Sequence, residues 1–322
     1  MHRTHPLVAA IAAVLVLGAT DARAADLDVA PGGSIQAAIA AAADGDVVRV
    51  AAGTYLEDLD FLGKAIAVVG AGAASTVVQG TGTGPVVTFA RGEGPASVLD
   101  GVTVTGGRAP RGGGILVRAA SPTIVRTTLT GNRADFQGSA IYLEDSSAEL
   151  RNDLIVANRA TFPDAGDPHG VEVVRGAPRL LNNTIADGDS NGIIFRGSDG
   201  AVVSGNVIAF NGSARGGARG RGICDFGRST VIRHNLFFSN RRGALLVDRD
   251  YARIERAERA IDDPRVADNR SGSPRFVDRR RGDYRLRRGS RAIDLGDPSP
   301  ELADLDGTRN DAGHLGGPLA AP

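Results

Sequence analysis

The sequence predicts an all-β chain folded as a single right-handed parallel β-helix, a solenoid with a short N-terminal capping helix and an irregular C-terminal cap. Two patterns carry that expectation: a polar and apolar segment that recurs five times, and a row of small residues, each followed by an aliphatic one, ahead of every copy. Composition agrees. With 44 glycines, no tryptophan and 4% aromatic residues, the core must be filled by small and β-branched side chains.

The chain opens with Arg3, an apolar run from Leu7 to Leu17 and the small-x-small site Ala22-Arg23-Ala24. Residues 1–24 are thus expected to be a secretory signal peptide, its run too short to span a bilayer. The expected product is secreted, to the periplasm, cell surface or medium, with no membrane insertion. Cys224 is the only cysteine, so neither a disulfide framework nor a cysteine-rich zinc site is expected. The 37 basic and 37 acidic residues balance, which argues against nucleic acid as a partner.

After the leader, Ser34-Ile35-Gln36-Ala37-Ala38-Ile39 reads as a short amphipathic helix closing the open end of the solenoid, where a bare strand edge would invite association. The repeats follow: Ile124 to Asn132, Leu150 to Asn158, Leu180 to Gly188, Val203 to Asn211 and Ile232 to Asn240. Each places Thr127, Asp153, Asn183, Asn206 or Asn235 three positions on, and five positions later Asn132, Asn158, Gly188, Asn211 or Asn240. Gly114, Ala140, Gly170, Gly192 and Gly222 precede the copies at intervals of 26, 30, 22 and 30 residues, which suits one solenoid coil of three short strands. The polar residues at the bend between second and third strands predict a structural asparagine ladder.

With the small residues in register, the next residue points inward and the one after it outward. The outward row then reads Leu116, Tyr142, Glu172, Ile194, Cys224, and a second reads Arg118, Glu144, Val174, Arg196, Phe226. Asp225 would lean inward, which predicts a register slip at Cys224 or else a buried, inert thiol. Two coils carry long loops into this face, Arg159 to His169 and Gly212 to Arg221, and such loops are where function is sought. Tyr251 to Ile261 reads as a charged helix after the last coil, and Arg279-Arg280-Arg281 as a solvated turn. The expected division is 1–24 leader, 25–250 β-helix, and 251–322 C-terminal helix and capping segment.

These repeats resemble the right-handed parallel β-helix family, whose members include pectate lyases, polygalacturonases and mannuronan epimerases. Ser34 to Gly80, with Asp44-Gly45-Asp46 and Gly53-Thr54-Tyr55, is similar to that family's N-terminal entry. Ser273 to Val277, Gly282 to Leu286 and Ser290 to Gly296 resemble the end of the bacterial surface β-helix proteins called choice-of-anchor Q. The resemblance implies that the first strands of the coils form a polysaccharide-binding face. It implies no single activity, because the fold hosts lyases, hydrolases, epimerases and noncatalytic adhesive proteins.

Asp167-Pro168-His169 resembles the Asp-Pro-His motif of mannuronan epimerases. That likeness implies that His169 removes the proton at carbon five of a uronate, that Asp167 holds the histidine, and that Arg196 neutralises the substrate carboxylate as the carbanion forms. Tyr142 and Glu172 complete the candidate set. The epimerase tyrosine shortly before the Asp is missing, Phe162 and Pro163 standing there, and Tyr142 lies one coil away. Taken from the residues alone, Asp-Pro is a turn starter and His169 a solvated loop residue. Asn183-Thr184-Ile185 lacks the acid of the polygalacturonase motif, and Asp187-Gly188-Asp189 reads as a surface turn.

Asp304, Asp306 and Asp311 cluster around Gly307 and make calcium a candidate ligand, with a polar turn as the alternative; Glu144, Asp145 and Glu172 are the acids that a calcium-dependent lyase would draw on. No cofactor is otherwise required. Two functions fit: a secreted enzyme acting on an acidic polysaccharide by elimination or epimerisation at a uronate, and a noncatalytic surface or glycan-binding β-helix. In either case a capped solenoid is expected to be monomeric.

Overall fold

The computed structural model describes residues 24–160, 169–212, 220–227, 229–247, 252–254 and 264–320. Its strands stack into three long sheets of ten, nine and nine strands among the described residues, with neighbours parallel almost throughout. The chain winds right-handed through them. The front sheet includes Val87–Phe89, Ile115–Arg118, Ile141–Glu144, Val171–Val174, Ile193–Arg196 and Ile223–Phe226. The second includes Thr123–Val125 and Glu149–Arg151, and the third Thr128–Thr130 and Leu154–Val156.

Register follows the sequence pattern. Ile115, Ile141, Val171, Ile193 and Ile223 are successive partners, and all are fully buried in the core. Each front strand sends two apolar side chains inward, such as Ile115 with Val117 and Ile141 with Leu143, and a coil buries them only against its neighbours. The register does not slip at Cys224, which pairs with Ile194. Asp225 does point inward, and its carboxylate accepts from the Gly227 N–H (2.9 Å) and the Thr230 hydroxyl (3.0 Å).

The bend between second and third strands is held by the ladder. Asn183 Nδ2 donates to Asn206 Oδ1 (3.0 Å), Asn206 to Asn235 (2.9 Å), and Asn235 to Asn269 (2.9 Å). The residue before each rung, such as Asn182 or His234, has a positive φ that turns the chain sharply. A second ladder runs at the end of the third strand, where Asn132 donates to Asn158 and Asn211 to Asn240, both at 3.0 Å. Gly188 interrupts it, and there only the backbone N–H reaches Asn211 Oδ1.

The expected N-terminal helix is Ile35–Ala41, capped by the Ser34 hydroxyl and burying Ile35 and Ile39 against the first coil. Charges match its dipole at both ends. Glu57 accepts from the Ile35 and Gln36 N–H groups (2.7 and 3.1 Å), and Lys64 Nζ donates to the carbonyls of Ile39, Ala40 and Ala42.

Three elements depart from expectation. Ala252–Ile254, expected within a charged helix, is a strand antiparallel to Leu245–Val247, because the last front strand offers an unpaired edge. The other two long sheets also run on past residue 250, through Val266–Ala267 and Arg270–Ser271. Beyond them the C-terminal segment folds back along the outer face of the third sheet. There Ala292, Leu295 and Ala312 pack on Val207, Ala209 and Leu236, while Asn152 and Asn182 donate to backbone carbonyls of residues 311–316. Arg279, expected in a solvated turn, pairs with Asp187 and lies over the Phe210 ring at 3.8 Å, so the Asp187 turn is an anchor for this segment.

A fourth, short sheet was not expected. Arg108–Arg111, Arg133–Gln137 and Arg159–Ala160 pair in parallel between the third strand of one coil and the front strand of the next. Gly112 and Gly138 make this possible. With φ of 64° and 61°, each would place a Cβ 2.6 and 2.4 Å from the backbone oxygens of Ile115 and Ile141 respectively, so only glycine fits. The short sheet forms a wall beside the front sheet.

Candidate functional site

The front sheet is the floor of the site and the short sheet one of its walls. As expected, Leu116, Tyr142, Glu172, Ile194 and Cys224 stand in one outward row and Arg118, Glu144, Val174, Arg196 and Phe226 in the next. Outward does not mean solvent-exposed here. Tyr142, Glu172, Ile194 and Cys224 are all buried under the residues that cover the floor.

His169, Glu172 and Arg196 come together. Arg196 Nε donates to Glu172 Oε1 at 2.9 Å, and one Arg196 Nη lies 3.5 Å from His169 Nε2. His169 is not the solvated loop residue that its sequence context suggests; it is 0% exposed, as is Glu172, whereas the Arg196 side chain is 37% exposed. The backbone carbonyl of His169 accepts from the Ser139 N–H at 2.6 Å, which ties the end of the long loop to the neighbouring coil. Asp167 lies outside the described residues.

Two side chains that sequence reasoning missed complete the cluster. Gln137, from the wall, donates to Glu172 Oε1 at 2.7 Å. Asn191 Nδ2 faces His169 Nδ1 at 3.1 Å, while its own Oδ1 accepts from the N–H groups of Gly220 and Arg221. Both stand just ahead of a front-sheet strand, a position that polar residues of a regular coil have no packing reason to fill.

Burial pushes the Glu172 carboxyl above the ordinary range, against the opposing pull of His169, Arg196 and Gln137. Its Oε2 is buried and has no hydrogen-bond partner among the described residues. Tyr142 is raised too, first by burial and then by Glu144, so its phenol stays neutral and keeps a proton to donate. Arg111 lies over its ring at 5.6 Å. Glu144 and Asp145, the acids on which a calcium-dependent lyase would draw, are paired with arginines: Arg118 and Arg175 hold Glu144, and Arg175 grips Asp145 with two bonds of 2.6 and 2.7 Å.

Of the C-terminal acids, Asp304 and Asp311 lie side by side while Asp306 turns into its own loop. Asp306 caps its own turn through Thr308, Asp311 accepts from the Asp294 N–H, and Asp304 accepts from the Asp311 N–H. Burial, with Asp304 beside it, lifts Asp311 to about 6. Among the described residues no three His, Cys, Asp or Glu side chains group as a metal site. No helix among them is long and apolar enough to cross a membrane.

Residues 97–255 match the family model described as periplasmic copper-binding protein (NosD). No curated protein matches the chain. Among solved structures, pectate lyase Pel9A is similar with a TM-score of 0.55 and 14% identity, over 91% of this chain and 96% of that one. The alginate lyase from Paenibacillus sp. str. FPU-7 is similar with a TM-score of 0.50 and 18% identity, over 70% of this chain and 82% of that one.

The residues present do not fit copper. Copper favours a soft thiolate or thioether with imidazoles around one ion. Here Cys224 is buried in the floor, the sole methionine is Met1, outside the described residues, and the described histidines sit apart. His169 is under the front face, His234 at the bend before the Asn235 rung, and His314 is in the C-terminal segment against Thr184. What the geometry and the likenesses establish together is the fold: this chain is a right-handed parallel β-helix of the pectin-lyase-like type.

Proposed function

We propose that the chain is an extracytoplasmic β-helix protein that binds an acidic polysaccharide along the front sheet and acts on a uronate there, by elimination or epimerisation. The convergence of His169, Glu172 and Arg196 on one spot of that face carries the reading. The leader-like N-terminus and the periplasmic relatives of the matched family support export, and the two lyases of like fold support a polysaccharide.

The hydrogen bonds favour a division of labour that differs from the one implied by Asp167-Pro168-His169. Asn191 Nδ2 is a donor, because Asn191 Oδ1 is occupied by two backbone N–H groups; His169 Nδ1 then accepts, and a neutral imidazole carries its proton on Nε2, so the Arg196 Nη 3.5 Å away is a close neighbour of Nε2 and not its hydrogen-bond partner. Glu172 Oε2, buried and raised in basicity, is the better proton acceptor. In elimination the carbon-five proton passes to Glu172 Oε2, the electron pair forms the double bond to carbon four, and the departing oxygen takes the Nε2 proton of His169. Arg196, the exposed member, offsets the uronate carboxylate throughout. In epimerisation His169 returns its proton to the opposite face of carbon five.

A proton-NMR time course in heavy water tests this, with the chain from Ala25 onward on pectate, alginate and glucuronan. A vinyl signal, or loss of the carbon-five proton, that disappears in Glu172→Gln and His169→Ala is the expected result. Silence on every substrate overturns the catalytic reading. A noncatalytic, glycan-binding role then stands, and the complete burial of His169 and Glu172 favours it.

A further inference from the structure

Nearer the N-terminal end of the same face lies a groove of about 350 Å³ that the cluster does not use. Pro85 and Pro110 flank it, Leu116 forms its base, and Phe136, 50% exposed, stands at its rim. Arg111 and Arg118 supply charge, and no acid lines it among the described residues. Arg118 is engaged by Glu144 at 2.9 Å. Arg111 has no ion pair among the described residues; its guanidinium rests on the Tyr142 ring, presented by the short wall strand Arg108–Arg111.

An exposed phenyl ring, apolar walls and an uncompensated guanidinium form a composite that fits one chemistry. A pyranose ring offers an apolar C–H face to Phe136, and a carboxylate at its edge takes the planar fork of Arg111 in two bonds. A neutral sugar would leave the cation unanswered, and a purely apolar ligand would strand it in the groove. Position fits as well. Leu116, Tyr142 and Glu172 are successive partners across the floor, so the groove lies two coil steps from Glu172, roughly 10 Å at the usual strand spacing. A polysaccharide following the solenoid axis covers that span with two sugar units.

We propose that the groove is a subsite for one uronate unit, about two units along the polymer from the one held at Arg196, with Arg111 its carboxylate receptor and Phe136 its stacking platform. The proposal rests on the acidic-polysaccharide reading above. It also gives the site a specificity that the catalytic cluster alone does not have, since a chain too short to reach Arg111 forgoes the second carboxylate contact.

Calorimetric titration with oligogalacturonates and oligomannuronates of two to six units, beside their carboxyl-reduced neutral counterparts, tests it on wild type, Arg111→Gln, Arg111→Lys and Phe136→Ala. Both residues are exposed, so the variants should melt with the wild type, and a melt of each checks this. The expected result is that affinity for acidic oligomers rises with length in the wild type, and that Arg111→Gln removes about tenfold for the long oligomers but little for the dimers. Arg111→Lys should recover only part, and Phe136→Ala should weaken long oligomers too. If wild type binds acidic oligomers and Arg111→Gln binds them equally, the subsite is wrong and the acidic-polysaccharide reading survives. If Arg111→Gln weakens neutral and acidic oligomers alike, the carboxylate role is wrong. If wild type binds none of them, both the subsite and the reading beneath it fall.

Discussion

Asn191 donates its side-chain N–H to His169 Nδ1 across 3.1 Å, and the Gly220 and Arg221 N–H groups that bind its Oδ1 leave the amide no freedom to flip. The histidine tautomer is thus set by the coil that follows it. Asn191→Asp keeps the two backbone bonds but puts a carboxylate oxygen where the donor stood. The expected outcome is that the neutral-state proton of His169 moves from Nε2 to Nδ1, visible as an exchange of the two ring-nitrogen shifts in nitrogen-15 NMR. Product formation should drop with it, because the donor at Nε2 is lost.

The floor of this site was legible in the sequence and its surroundings were not. Inward and outward rows follow from a period of two, so Tyr142, Glu172 and Arg196 could be placed on one face from Gly114, Ala140, Gly170 and Gly192 alone. The burial of His169 could not, because burial depends on what the loops lay over the strand. The wall strand Arg133–Gln137 alternates polar and apolar residues, but over only five positions and with Phe136 half exposed, so the pattern names no core for it to face. Its pairing comes from the backbone of neighbouring coils rather than from its own side chains. The C-terminal segment shows the same limit: Arg279 looked solvated because its partner, Asp187, lies 92 residues away.

Asp153 occupies a rung of the first ladder where the following coils carry asparagine. Its Oδ1 accepts from the Thr127 N–H, but Oδ2, fully buried, has no partner among the described residues. An asparagine there would donate to a carbonyl of the preceding coil, as Asn183 does to Leu150. Burial pushes the Asp153 carboxyl well above its ordinary range. The folded state therefore keeps a proton that the unfolded chain has released once the pH passes about 4, and stability falls as pH rises from there toward the raised value. Asp153→Asn is expected to stabilise the protein by about 2 kcal/mol at pH 8 and by much less at pH 4, measured by urea unfolding at both.

Gly138 couples the wall to the cluster. A Cβ there would stand 2.4 Å from the Ile141 carbonyl oxygen at a φ of 61°, so Gly138→Ala must shift the chain between Gln137 and the front strand. It should cost about 2 kcal/mol or more of stability. It should also free Glu172 Oε1 from Gln137, which removes one of the contacts that favour the ionised form. Activity should therefore shift to higher pH, whereas Gln137→Leu should shift it without the backbone cost.

Asp187 anchors the returning C-terminal segment through three separable contributions, and its variants should resolve them. Its Oδ2 accepts the Tyr284 hydroxyl at 2.7 Å, Oδ1 pairs with Arg279, and its own φ of 57° lies in the left-handed region. Asn tolerates that backbone and still accepts the phenol, but it then turns its amide N–H toward Arg279, so Asp187→Asn loses the ion pair and its hydrogen bond; Arg279 is about one-third exposed, and a cost of about 1 kcal/mol is expected. Asp187→Ala also strands the buried phenol and strains the turn, and about 3 kcal/mol is expected. Burial, then Asp187, raises the Tyr284 phenol far above its usual value, so an alkaline ultraviolet titration should show one tyrosine ionising earlier in Asp187→Ala. Because Tyr284 covers Val156 and Ala186 on the third sheet, the loosened segment should also become a site of proteolysis between Phe276 and Leu286 while the coils stay intact. Equal stability of Asp187→Ala and Asp187→Asn would show instead that the ion pair alone holds the segment.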